Sequence, residues 1–131
     1  EFVDTDAPLL HLTDVYLTYA EAAIRGGGDI GKAVTLVNQL RERGWGNTQN
    51  NISAGELTLE FILDERAREL YWEGYRRTDL IRHGKFTTGA YLWPWKGGAE
   101  FGAAVGSFRN LFPIPASDLV ANTNLVQNNG Y

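Results

Sequence analysis

Three glutamates, Glu65, Glu69 and Glu73, follow one another at four-residue intervals within Leu57 to Gly84, LTLEFILDERARELYWEGYRRTDLIRHG. On a helix that spacing stacks them along one stripe, where like charges repel unless something compensates. Two chemistries use carboxylates in this pattern, an acid–base pair and a metal site. The same stretch carries Arg66, Arg68, Arg76, Arg77 and Arg82. Arginine keeps a carboxylate ionised and occupied, and its planar fork suits bidentate pairing. Glu65, Arg66, Glu69, Glu73 and Arg76 therefore read as a structural ion network, closed when the chain folds back at Gly74. No catalytic residue and no metal ligand is assigned. A competing enzyme reading would use Glu65, Glu69 and Asp79.

Other chemistry-bearing residues are few. Gly26-Gly27-Gly28-Asp29-Ile30-Gly31-Lys32 matches the first seven positions of a phosphate-binding loop, but Ala33 stands where a magnesium-holding hydroxyl belongs. The preceding segment reads as a helix, whereas such a loop follows a strand, so this is an interhelix turn. His11 and His83 are the two histidines, and neither sits in a metal-ligand pattern. The chain has no cysteine, hence no disulfide and no thiolate site. No nucleophile elbow or zincin motif occurs, and no cofactor is implied. Asn51-Ile52-Ser53 fits a glycosylation acceptor, a pattern frequent by chance.

The elements that must position these residues read as helices. Asp6-Ala7-Pro8 signals a helix start, followed by a stripe of Leu9, Leu12, Tyr16, Tyr19, Ala20 and Ala23, widened by Val15 and Ala22. Asp29 caps a second helix with Ala33, Leu36, Val37 and Leu40 on one face, ending at Gly44. The two form an αα-hairpin that must stack on neighbours to bury its faces. Thr58 caps a third helix, with Ser53 and Glu56 at capping-box spacing as a second possible start. Leu59, Ile62, Leu63, Ala67 and Leu70 form its stripe, and Gly74 ends it. Tyr75 to His83 reads as a shorter helix closed by Gly84, and Ala116 to Ala121 as another. The fold class is all-α.

Between these helices lie two aromatic-bearing loops. Residues 45–57 are polar, with Trp45 exposed among asparagines and glycine. Residues 85–108 have no clear period and hold Tyr91, Trp93, Trp95, Phe101 and Phe108. Structureless loops of this length tend to be functional. The rings either pin the loop to the helices or present flat surfaces to a ligand.

At 131 residues the chain fits one domain, with 6–84 helical, 85–108 an aromatic loop and 109–131 a C-terminal segment. A net charge of −4 gives no electrostatic reason to expect nucleic acid or an anionic membrane. No window approaches the roughly 20 apolar residues of a membrane-spanning helix, and no signal peptide is visible.

Glu65-Arg66-Ala67-Arg68-Glu69-Leu70, Glu73-Gly74, Arg76 and Asp79-Leu80-Ile81-Arg82 resemble the late helical segment of SusD/RagB proteins. Leu111-Phe112-Pro113-Ile114-Pro115 and the ending Asn122 to Tyr131 continue the resemblance, with Thr123 and Asn129 where the family commonly has proline. The hairpin at Leu9 to Gly44 resembles one of the family's tetratricopeptide-like helix pairs. The resemblance implies a non-enzymatic role: binding oligosaccharide at the cell surface and delivering it to a SusC-like, TonB-dependent outer-membrane transporter. It also implies a longer protein with a signal and a lipidated cysteine, of which this chain is the C-terminal portion. The membrane would be reached only through that lipid anchor, and the fragment itself would be soluble. Ligand contact is expected from Tyr91, Trp93 and Trp95, then Trp45, because such rings stack on apolar sugar faces while their polar tips hydrogen-bond. The alternative is a helical-repeat module that binds a protein and no sugar.

Overall fold

The computed structural model describes residues 9–131. These form five α-helices and two short 3-10 helices, and no strand occurs among the described residues. The chain divides into two compact units, Glu1–Arg76 and Arg77–Tyr131.

In the first unit, α1 (Leu12–Gly26) packs against both α2 (Ile30–Trp45) and α3 (Leu59–Glu69). Leu17, Ala20, Ala23, Ala33, Val37, Leu40, Ile52, Leu57 and Ile62 form the core, and the alanines let the helix backbones approach closely. The expected start at Asp6-Ala7-Pro8 lies outside the described residues. The helix itself begins at Leu12 after an extended His11. Its buried face corrects the expected stripe: Leu9, Leu12 and Val15 are exposed, whereas Thr13, Leu17 and Glu21 are buried. Apolar periodicity overlooks Thr13 and Glu21 because their burial depends on partners. Arg43 donates to Thr13 Oγ1 at 3.4 Å, and Arg25 Nε donates to Glu21 at 2.8 Å.

The α1–α2 turn forms at the glycine run, and Asp29 Oδ1 accepts from the Lys32 amide at 2.9 Å. Ala33, Val37 and Leu40 are buried as the spacing predicts, and Leu36 is half-buried. The helix runs past Gly44 to Trp45. Gly46, at φ 70°, supplies a left-handed cap two residues beyond the expected end. Thr58 caps α3 by accepting from the Phe61 amide at 3.1 Å. The Ser53–Glu56 pair forms instead in the turn before α3. There Glu56 accepts from the Ser53 amide and hydroxyl, both at 2.8 Å. Gly74 does not end α3, which stops at Glu69. Leu70 at the C-cap already leaves helical geometry, at φ −111° and ψ 30°, and Trp72 then takes a left-handed φ of 67°.

Helix α4 (Arg76–Arg82) leads into the second unit, and α5 (Ala116–Ala121) follows the proline motif, both as the spacing predicts. The two family-like motifs of this unit bind each other. Gln127 accepts from the Ile114 amide at 2.8 Å and donates to its carbonyl at 2.9 Å. Asn128 Nδ2 donates to the Phe112 carbonyl at 2.7 Å, and the Tyr131 hydroxyl to Leu111 at 2.9 Å. Tyr131 meets Phe108 edge-on, with centroids 5.0 Å apart.

Candidate functional site

The aromatic loop is built around a buried lysine that periodicity could not reveal. Lys96 is 3% exposed, and its Nζ donates to the carbonyls of Thr88 at 2.6 Å and Tyr91 at 2.7 Å, with Lys85 at 3.4 Å. A buried ammonium is tolerated only when its donors are satisfied, and carbonyls do so here. The same ammonium lies 4.7 Å from the centre of the Trp93 ring, a cation–π distance. Phe86 stacks on Trp93 at 6.3 Å, and Tyr91 tilts against it at 6.2 Å.

Tyr91 and Trp93 are therefore brought together and are half-buried. Trp95 is different. It is 68% exposed, has a left-handed φ of 67°, and joins no aromatic pair among the described residues. Its amide donates to Glu100 at 3.3 Å and the Gly98 amide donates back to its carbonyl at 3.0 Å, which fixes the backbone beneath the free ring. Beside Trp93 and Lys96 the loop leaves a cleft of about 370 Å³, reaching Gly97, Val105 and Arg109.

Trp45 stands in the first unit at the end of α2, 59% exposed, on a cleft of about 500 Å³. Its walls are Arg41, Gly44, Phe61, Glu65, Arg68 and Glu69. Both Glu65 oxygens accept from Arg41 Nη1 at 3.0 Å, and Glu65 Oε2 also accepts from Arg68 Nε at 2.8 Å and Nη2 at 2.6 Å. Glu69 pairs with Arg43. Glu73 pairs with His11 at 3.2 Å, and Arg66 with Asp14 at 2.6 Å. Arg76 donates to the Leu63 carbonyl at 2.8 Å. The arginines that reach Glu65 and Glu69 from another helix thus come from α2, because its last turn faces the glutamate stripe. Sequence spacing along Leu57–Gly84 contains no signal for that.

No group of three His, Cys, Asp or Glu side chains in a metal-holding arrangement occurs among the described residues. No described helix is long and apolar enough to cross a membrane. Exposed indole and phenol rings above fixed polar groups suit stacking on a flat, partly apolar ligand.

Residues 2–131 match the model of the SusD family. The chain is 48% identical, over 99% of its length, to the starch-binding protein SusD of Bacteroides thetaiotaomicron. It is 32% identical, over 98% of its length, to the SusD-like protein P38 of Formosa agariphila. It spans 22% and 25% of the length of these two curated relatives. A crystal structure of a SusD superfamily protein from Bacteroides vulgatus superposes with a TM-score of 0.71 at 32% identity, covering 94% of this chain and 27% of that one. Another, from Bacteroides thetaiotaomicron, gives 0.70 at 28% identity, covering 93% of this chain and 27% of that one. With this sequence match along almost its whole length and the shared all-helical fold, the chain belongs to the SusD family.

Proposed function

We propose that the chain is part of a non-catalytic cell-surface protein that binds oligosaccharide and hands it to a SusC-like, TonB-dependent transporter of the outer membrane. The observation that carries this reading is the 48% identity, over 99% of the chain, to a relative named for starch binding. That relative points to an α-glucan as the first ligand to try. On this chain we assign contact to the aromatic loop. Trp95 offers a free ring, while Tyr91 and Trp93, half-buried over Lys96, hold the loop in shape and present their edges. Trp45 is the further candidate.

Two carboxylates of the competing enzyme reading are engaged by arginine. Glu65 is 2% exposed and held by two arginines, and the Asp79 carboxylate, 1% exposed, accepts from Arg82 at 2.8 Å.

Calorimetric titration with maltoheptaose tests the assignment. Trp95→Ala is expected to weaken binding about tenfold with no loss of thermal stability, because the ring removed is exposed. Unchanged affinity in both Trp95→Ala and Trp93→Ala, with the parent binding, would clear the loop of the role. Delivery is tested by co-purification with a SusC-like transporter from the same organism; failure of the two to associate would remove that half of the reading.

A further inference from the structure

The Trp45 cleft carries more than an exposed ring. Glu69 is held from one side only: Oε2 accepts from Arg43, and among the described residues Oε1 has no hydrogen-bond partner. That oxygen faces Gly44, where an added Cβ would stand 3.9 Å away, so the missing side chain keeps the carboxylate open. Arg68 spends Nε and Nη2 on Glu65, and Nη1 has no partner among the described residues. Arg41 spends Nε on the Asn50 carbonyl and Nη1 on Glu65, which leaves Nη2. The Arg41–Glu65–Arg68 ion pairs lock both guanidinium groups in place. They also lie over Phe61 at 5.5 and 5.8 Å, so that ring is covered and Trp45 is the open apolar face.

An apolar ring beside one fixed acceptor and two fixed donors is what a pyranose needs. Its C–H face stacks on the indole, and adjacent hydroxyls donate to a carboxylate while accepting from guanidinium. The charges lining the cleft balance, Arg41 and Arg68 against Glu65 and Glu69, which favours a neutral sugar over a uronate or sulfated one. A volume of about 500 Å³ lies within the usual range for small-molecule sites. We infer that this cleft is a saccharide subsite for one neutral pyranose unit, with Trp45 as platform, Glu69 Oε1 as acceptor and Arg68 Nη1 as donor. The inference rests on the glycan-binding reading above and adds a site to it that does not involve the aromatic loop.

Three variants test it by titration of the full chain with maltoheptaose and xylohexaose, with an oligogalacturonide as charged control. Trp45→Ala and Glu69→Gln are each expected to weaken binding of a neutral oligosaccharide about tenfold. Gly44→Leu fills the cleft beside the Glu69 carboxylate. Leucine is a better helix former than glycine, so binding should fall while the melting temperature holds or rises. A merely structural cleft would not give that split. If the parent binds and all three variants stay within about twofold of it, the subsite is overturned and the loop assignment stands. Preference for the oligogalacturonide, lost in Trp45→Ala, would overturn the neutral-sugar assignment. A parent that binds none of the three overturns the subsite together with the glycan reading.

Discussion

Lys96 Nζ sits 4.7 Å from the centre of the Trp93 ring while donating to the carbonyls of Thr88 and Tyr91. One ammonium thus joins three points of a loop that has no strand and little helix to hold it. Residues 85–108 keep their shape because a charge was moved indoors and every strong acceptor around it was a backbone carbonyl.

Lys96→Met should therefore loosen this loop. The methylene stem is kept, but the carbonyls of Thr88 and Tyr91 lose their donor, at a cost on the order of 2 kcal/mol. Urea unfolding measures the loss, and tryptophan emission should shift to the red as Trp93 becomes wetter. A change below about 0.5 kcal/mol would show that the loop is held elsewhere.

Glu65 is the second buried anchor. Glu65→Ala leaves Arg41, whose side chain is 15% exposed, without its carboxylate partner. Removing one member of a buried pair costs about 3 kcal/mol. Asp64→Ala, on the exposed side of the same helix, should stay within about 0.5 kcal/mol of the parent. Equal effects of the two in denaturant titrations would contradict an organising role for the network.

Gly130 cannot carry a side chain. Its φ is 98°, and a Cβ there would lie 2.5 Å from Phe108 Cγ. Gly130→Ala should free the C-terminal segment from the proline motif, seen as faster amide exchange at Ile114 and in the last residues. Gln127→Ala should give the same signature by removing both bonds to Ile114. Protection unchanged in both variants would mean the tail is held by something other than these contacts.

Glu56 supplies a pH effect. Hydrogen bonds from the Ser53 amide, then from the Ser53 hydroxyl, hold its carboxyl below the ordinary value of 4.5. A lowered folded pKa means the stabilisation is complete above the unfolded value and is lost as pH falls through the folded one. The stability of the parent should thus decline slightly more steeply than that of Glu56→Gln on acidification below about pH 4.5. Parallel curves for the two would rule out this contribution.

Local chemistry was legible wherever one residue decided the outcome. Thr58 caps α3, α5 occupies its six residues, and the motif pairs of the SusD family stand in order. Where tertiary partners decided, spacing misled. Thr13 is buried where Arg43 of α2 meets it, and Val15 is exposed although apolar. Helix α2 runs one residue past its expected end at Gly44, and α3 stops at Glu69 with Leu70 leaving helical geometry, before Gly74 is reached. For the candidate site, Tyr91, Trp93, Trp95 and Trp45 could be named from residue type alone. Their division into covered and free rings could not, since Lys96 and Phe86 approach Trp93 only in the folded loop.

The most direct test places binding and chemistry in one tube. The chain is titrated with maltoheptaose in a calorimeter, and the same mixture is then assayed for newly formed reducing ends. Saturable binding with no release of reducing ends is the expected result for a non-catalytic glycan-binding member of the SusD family. Release of reducing ends, or no heat of binding with maltoheptaose or with the other neutral oligosaccharides, would contradict it.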